Sequence, residues 1–306
     1  MVATEILVVG GGPAGLTAGI YGSRSGHNTT VMEKSFSGGQ MALTPDVENY
    51  PGFAEPVNGM QLAQTMEQQA QRFGCTMANY EATGIRRSET GFEVRTTGDT
   101  FEAGAVIICS GAQPRKLGIP GEKGLTGRGV SYCAVCDGPL FRGREVAVVG
   151  GGDSALDEAF YLSNIVSRVH VIHRRDEFRG CKLALDRLRR KDNVTFHLST
   201  IVTRINGTDR VESLDLGTPT GAGVGQLAVA GLFIYVGWLP NTQWCGGLLA
   251  LDASGAVTTD DRLQASVPGV FAAGDVRATR LRQVATAVGD GALAAMMAHD
   301  YLASKQ

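Results

Sequence analysis

Ile6-Leu7-Val8-Val9-Gly10-Gly11-Gly12-Pro13-Ala14-Gly15-Leu16 decides the fold: an apolar run halts on three glycines and resumes as a helix former, giving strand, tight turn and helix in succession. Val146-Ala147-Val148-Val149-Gly150-Gly151-Gly152-Asp153-Ser154-Ala155-Leu156 repeats the arrangement at an offset of 140 residues. In such a unit the glycines let the backbone approach a pyrophosphate, whose charge sits against the amides of the helix N-terminus. A lone GxGxxG carries little weight in a chain with 42 glycines, where some only close tight connections. Two copies, each behind a strand, predict an α/β fold with two Rossmann-like dinucleotide-binding domains. The candidate binding residues are Gly10, Gly12, Pro13, Ala14 and Gly15 in one turn, and Gly150, Gly152, Asp153, Ser154 and Ala155 in the other.

The second strand of each unit ends where an adenosine ribose is read, and the offset aligns Glu33 with His173. Glu33 closes Thr29-Thr30-Val31-Met32 with a carboxylate that accepts from ribose hydroxyls and repels a 2′-phosphate, as expected for FAD or NAD. His173-Arg174-Arg175 closes Val169 to Ile172, and Arg179 is expected one helical turn further on. Guanidinium forks suit phosphate oxygens, so this cluster predicts the 2′-phosphate of NADPH. An isolated Arg-Arg pair reads as a solvated charge run; its alignment with Glu33 reverses that reading.

Composition sets the outer limits. The 306 residues exceed the usual size of one hydrophobic core, and 43% hydrophobic against 19% charged residues describes a soluble globular chain. A net charge of −2 offers no basic field for nucleic acid. The longest apolar run, Leu227 to Leu239, is too short for a membrane helix and suits buried strands. The glycine turn at Gly10 leaves no room before it for a signal peptide, so a cytoplasmic location is expected.

Of the six cysteines only Cys133 and Cys136 are close in sequence, in Cys133-Ala134-Val135-Cys136-Asp137. The spacing closes a small dithiol ring, in which one thiolate attacks a partner disulfide and the other resolves the mixed disulfide, and Asp137 is placed to manage protons. Half a metal site or two core cysteines are the alternatives, but no second CxxC or suitably spaced histidine pair completes a metal shell. Cys75, Cys109, Cys181 and Cys245 read as single cysteines, Cys181 being of interest only for its place beside the basic cluster. The histidines outside that cluster show no ligand spacing.

Taken in order, GGGPAG at Gly10, GGQ at Gly38, ENYPGF at Glu48, CAVCDG at Cys133, GGGDSA at Gly150, HRRDEFR at His173, GVFAAGD at Gly269 and RQVATA at Arg282 resemble the low-molecular-weight thioredoxin reductase family along nearly the entire chain. The resemblance implies a discontinuous FAD domain, residues 1–114 and 242–306, with an NADPH domain inserted at 115–241 that carries the CxxC. It implies FAD contacts from Glu33, Lys34, Gly39, Gln40 and Asn49, and from Gly274, Asp275, Arg282, Gln283 and Val284. NADPH falls to the second turn with His173, Arg174, Arg175 and Arg179. It also implies that Cys136 faces the flavin, that Cys133 attacks oxidised thioredoxin and that Asp137 donates the proton. A homodimer through the FAD domains, and rotation of the inserted domain about linkers near Pro114 to Leu117 and Trp238 to Thr242, follow from the same likeness. Pro139-Leu140 and Gly180-Cys181 depart from the family pattern, at positions that bear on partner docking and nucleotide affinity.

The expected activity is therefore NADPH-dependent reduction, through FAD and Cys133/Cys136, of thioredoxin or a thioredoxin-like protein. Three other readings stay open on the residues alone: a flavin dithiol oxidase, a ferredoxin-linked reductase of the same fold, and a non-catalytic flavin redox sensor. The intact arginine cluster speaks against the ferredoxin-linked reading.

Overall fold

A valine-rich strand with no polar alternation must be covered on both faces, which demands a parallel sheet flanked by helices. A computed structural model, which describes residues 1–44, 47 and 49–305, meets that demand twice, in the compact units Met1–Gln113 with Leu239–Gln306 and Pro114–Trp238.

The first unit opens with β1 (Val2–Val9), α1 (Pro13–Arg24), β2 (Thr29–Met32), α2 (Gly39–Ala42), α3 (Gly59–Arg72) and β3 (Thr76–Ala78). The meander β4 (Ala82–Arg87), β5 (Phe92–Thr96) and β6 (Thr100–Ile108) follows, and β7 (Ala112–Pro114) leads out. The second unit contains α4 (Glu122–Leu125), β8 (Val130–Ser131), α5 (Ala134–Asp137), β9 (Glu145–Gly150), α6 (Asp153–Ser163), β10 (Arg168–Ile172), α7 (Lys182–Arg189) and β11 (Val194–His197). An antiparallel meander of β12 (Ile201–Asn206), β13 (Ser213–Gly217) and β14 (Gly223–Ala228) precedes β15 (Gly231–Tyr235). The chain returns through β16 (Trp238–Pro240) to β17 (Val270–Ala272) and α8 (Val284–Ala303).

The two parallel sheets correspond strand for strand. The first runs β3-β2-β1-β6-β17, with the β4–β5 hairpin added antiparallel along the first half of β6, and the second runs β11-β10-β9-β15-β8. Register follows the same offset: Val9 pairs with Met32, and Val149 with Ile172. The apolar run Leu227 to Leu239 becomes the end of β14, all of β15 and the start of β16.

The chain crosses between units at β7 and β16, which pair with each other. The unit boundaries at Gln113/Pro114 and Trp238/Leu239 fall inside this ladder, one residue before the first expected boundary and three before the second. No described helix is long and apolar enough to cross a membrane.

Burial of β1 is complete at Ile6, Leu7 and Val8. On one face α1 and α8 cover it through small side chains, Ala14 and Ala18 meeting Ala287, Ala294, Ala295 and Ala298 in one cluster. The helices approach so closely that a Cβ on Gly291 would collide with the Ala14 carbonyl. Gly291→Ala is therefore expected to cost about 2 kcal/mol by overpacking and to lower the thermal midpoint by about 4–8 °C. Calorimetry reads this, and an unchanged midpoint would show that α8 can move away freely.

Candidate active site

The first glycine turn is built around Gly10, at φ +113, where a Cβ would collide with the Cys109 carbonyl at the end of β6. Gly15 lies so close to the Gly10 carbonyl that a side chain is excluded there as well. Gly12 caps α1 without a side-chain hydrogen bond, and open space surrounds its Cα, so the first amides of the helix remain available to an anion. Glu33 reaches this turn: Oε2 accepts the Gly11 amide at 2.8 Å and Oε1 accepts the Ser35 amide at 3.2 Å. A cleft of about 280 Å³ opens beside it, lined by Glu33, Phe36, Met60, Gln64, Met77 and Asn79 among others.

Other candidates gather in the same unit. Gly38 and Gly39 adopt positive φ before α2, leaving Gln40 exposed. Asn49 Nδ2 donates to Gln283 Oε1 at 2.9 Å, which joins the early and late segments, and Gln283 caps α8 with Thr286 immediately after Arg282 and before Val284. Gly274, at φ +73, donates its amide to Asp290, and burial pushes the neighbouring Asp275 up to about 6 against the opposing pull of Arg282. Lys34 is on the surface and pairs with Glu81 at 2.9 Å. The Glu48 of ENYPGF lies outside the described residues.

The second turn has the same backbone and different side chains. Gly150 sits against the Tyr235 carbonyl at the end of β15, and Gly152 caps α6 with open space around it. His173 occupies the position of Glu33, its ring pressed on Gly151 as Glu33 is pressed on Gly11. The ring is buried, stacks on Phe178 at 5.2 Å and places Nε2 3.1 Å from the Glu177 carbonyl. Burial first, then the arginines around it, push its pKa down. His173 is thus packed beneath the turn, while Arg174, Arg175 and Arg179 are exposed.

The segment from His173 to Cys181 is not helical, so Arg179 is placed by a latch and not by a helical turn: its amide donates to the Gly151 carbonyl at 2.8 Å, and that of Gly180 to the same oxygen at 3.1 Å. Gly180 is required there, since a Cβ would lie 3.1 Å from the Asp153 nitrogen and 2.6 Å from Leu156. Asp153 Oδ1 takes the Cys181 amide at 2.6 Å, so it braces the latch, beside Ser154 and Ala155 in the first turn of α6.

Cys133 and Cys136 form a disulfide with Cα atoms 5.3 Å apart, at the start and within α5. A one-turn helix has no stability of its own, so its surroundings hold it. Ser131 does most of this: its Oγ accepts the Cys133 amide at 3.1 Å and donates to Asp137 Oδ2 at 2.6 Å. The Asp137 carboxyl is pushed up by burial, opposed by the Ser131 bond. The Ala134 amide is taken by the Tyr235 hydroxyl, 101 residues away. Neither Ser131 nor Tyr235 carries a motif, and sequence reading missed both.

The remaining cysteines are buried except Cys181. Two histidine pairs also escaped the sequence reading: His27 Nε2 lies 2.9 Å from His299 Nδ1, and His170 Nδ1 lies 3.1 Å from His197 Nε2, each pair ending on a glutamate, Glu5 and Glu145. Both lie at the opening edges of β1 and β9, away from the glycine turns.

Comparison with known proteins gives concordant results. Residues 4–291 match the family described as pyridine nucleotide-disulphide oxidoreductase. The chain is 42% identical over 305 residues to a thioredoxin reductase of Treponema pallidum, covering 99% of this chain and 98% of the relative. A thioredoxin reductase structure from Streptococcus pyogenes superposes with a TM-score of 0.91 at 42% identity, covering 99% of each chain. One from Giardia duodenalis gives 0.92 at 35% identity, covering 99% of this chain and all of that one.

Since the Ser131 hydroxyl favours the ionised Asp137, Ser131→Ala should move Asp137 ionisation to still higher pH. A carboxyl-carbon NMR titration referenced to Asp137→Asn measures this, and an unmoved midpoint would show that the hydroxyl does not hold the charge.

Proposed function

The chain belongs to the pyridine nucleotide-disulphide oxidoreductase family, and from that membership we propose that it reduces the disulfide of thioredoxin or a thioredoxin-like protein, using NADPH, FAD and the Cys133/Cys136 pair. The observation that carries the reading is the Cys133–Cys136 disulfide in the same compact unit as a glycine turn flanked by exposed arginines.

The residues fit both cofactors. In the first unit, the carboxylate of Glu33 at the turn, the uncapped amides of α1 and the cleft walled by Phe36, Met60 and Met77 suit the ribose, pyrophosphate and adenine of FAD. Gly39, Gln40 and Asn49, with Gly274, Asp275, Arg282, Gln283 and Val284, would hold the rest of it. In the second unit, Gly150, Gly152, Ser154 and Ala155 would receive the pyrophosphate of NADPH, and Arg174, Arg175 and Arg179 its 2′-phosphate. Burial and stacking keep His173 as support beneath the turn, and Asp153 acts by bracing the arginine-bearing latch. Nicotinamide and flavin, when bound, supply the two-electron transfer that side chains cannot perform.

The protein's own chemistry is thiol–disulfide exchange. The Cys133 thiolate attacks the target disulfide, forming a mixed disulfide and releasing one target thiolate, which takes a proton from Asp137. Cys136 then attacks the Cys133 sulfur, re-forming the internal disulfide and releasing the second target thiol. Two electrons leave the dithiol, one proton comes from Asp137 and the other from the Cys136 thiol, so the balance closes. Exposed Leu43, Phe53, Leu281 and Leu293 on the first unit support extending the proposal to a homodimer, which sedimentation velocity reads directly.

The decisive assay is NADPH oxidation by FAD-loaded protein given oxidised thioredoxin, with NADH in parallel. Turnover should prefer NADPH, Arg174→Ala with Arg175→Ala should raise the KM for NADPH roughly tenfold or more while scarcely moving that for NADH, and Cys136→Ser should abolish reduction of the target. Bound flavin that NADPH cannot reduce, or a Cys136→Ser protein with full turnover, would overturn the proposal.

A further inference from the structure

Two unmet polar groups lie behind the redox turn. The Tyr235 hydroxyl accepts the Ala134 amide, but its own hydrogen has no hydrogen-bond acceptor among the described residues. Glu158 Oε2 is buried and has no hydrogen-bond partner among the described residues either. A buried carboxylate oxygen without a donor is costly, so its persistence calls for a reason.

The fold brings the two to one place. Gly138, which follows Asp137, packs on Leu162 and Tyr161 of α6, with 2.9 Å and 3.4 Å from its Cβ position. Glu158 stands one helical turn before those residues, on the same face of α6, which is therefore the face turned to the CxxCDG turn. Tyr235 ends β15 beside that helix: its carbonyl meets Gly150 at the glycine turn, and its phenol reaches the first residue of α5. One tyrosine thus touches the nucleotide turn with its backbone and the dithiol turn with its side chain.

We propose that Glu158 is a positioning residue for the dithiol that acts through Tyr235, and that it exchanges a proton each time the Cys133–Cys136 bond is broken or re-formed. The inference rests on the redox reading of that pair and adds a second acid to Asp137. Reduction of the disulfide takes two electrons and two protons: one proton goes to a sulfur, the other to Glu158, and the second sulfur is left as the thiolate. Oxidation by a target disulfide returns that proton, from Glu158 to the Asp137 carboxylate that has just protonated the leaving thiolate.

The local charges favour this exchange. Burial, then Asp157, pushes the Glu158 carboxyl up to about 7, so that its proton is available at neutral pH. Burial pushes the Tyr235 phenol far up, with Glu158 and Asp137 adding to it. The groups bearing on the pair are thus Asp157 on α6 itself, Asp137 from α5 and the phenol from β15. β9 and β10 contribute Val146, Val148, Val169 and Val171 to the apolar core shared with α6, and Arg187 and Lys191, from α7 and just beyond it, stack on Phe160. With acids predominating, a new thiolate makes the ionised form of Glu158 costlier and draws a proton onto it.

The test is the midpoint potential of the Cys133/Cys136 pair in the whole protein, equilibrated with dithiothreitol buffers at a series of pH values and read by mass spectrometry of the alkylated CxxC peptide. Dithiothreitol supplies the electrons, so no thioredoxin or nicotinamide enters. The wild type should take up more protons per disulfide reduced than Glu158→Gln in a window just above about 7. Glu158→Asp should restore that window. Tyr235→Phe, which removes the phenol hydroxyl that is electrostatically linked to Glu158, should move it to higher pH. Thermal midpoints show that each variant is folded. Parallel potential–pH lines for wild type and Glu158→Gln would overturn the proposal, and a window unmoved in Tyr235→Phe would overturn its passage through the phenol. A wild-type pair that dithiothreitol cannot cycle would instead sink the redox reading itself, and this inference with it.

Discussion

Everything in this chain depends on one steric constraint: the residue after the first strand of each unit must lie against the backbone carbonyl that ends the neighbouring parallel strand. Gly10 meets the carbonyl of Cys109, and Gly150 that of Tyr235. A Cβ at either place would push the turn off the sheet, and with it the start of α1 or α6. The uncapped amides of those helices are where a diphosphate can be held, so the glycine determines whether a binding site exists at all.

Given that shared frame, the units differ by what stands at the end of the second strand. Glu33 and His173 fill the same space beneath Gly11 and Gly151. The carboxylate binds backbone amides and keeps a negative charge at the turn. The histidine stacks, loses its tendency to protonate and leaves the turn without a fixed charge, so that neighbouring guanidinium groups set the local sign. One exchange of side chain, supported by the Gly180 latch, separates a site suited to ribose hydroxyls from one suited to an additional phosphate.

What the sequence makes legible is whatever repeats or recurs over short distances. The offset between the glycine turns carries the fold, the correspondence of the two sheets and the pairing of Glu33 with His173. Local spacing carries the CxxC. The helical placement of Arg179 failed because a backbone latch to Gly151, which no periodicity encodes, replaces the helix. Lys34 turned outward because Glu81, in the loop just before β4, offers it a partner. His27 and His299 are joined across nearly the entire chain, as is the bond between Asn49 and Gln283 across the inserted unit. Such contacts are tertiary facts and leave no trace in a window of neighbouring residues.

The redox turn shows why those invisible contacts matter most for chemistry. α5 has four residues, so its geometry is borrowed from Ser131, from Tyr235 and from the face of α6. Around that turn the charges that bear on Glu158 and on the Tyr235 phenol are acidic: Asp157, Asp137 and Glu158 itself. An acid-lined pocket would ordinarily oppose a second negative charge. It accommodates one if an acid takes up a proton as the charge appears, and burial favours the neutral form of both Asp137 and Glu158. The same desolvation that makes these carboxyls costly to ionise thus leaves room for the sulfur to carry the charge, and tertiary packing around a four-residue helix accomplishes what the CxxC motif alone cannot.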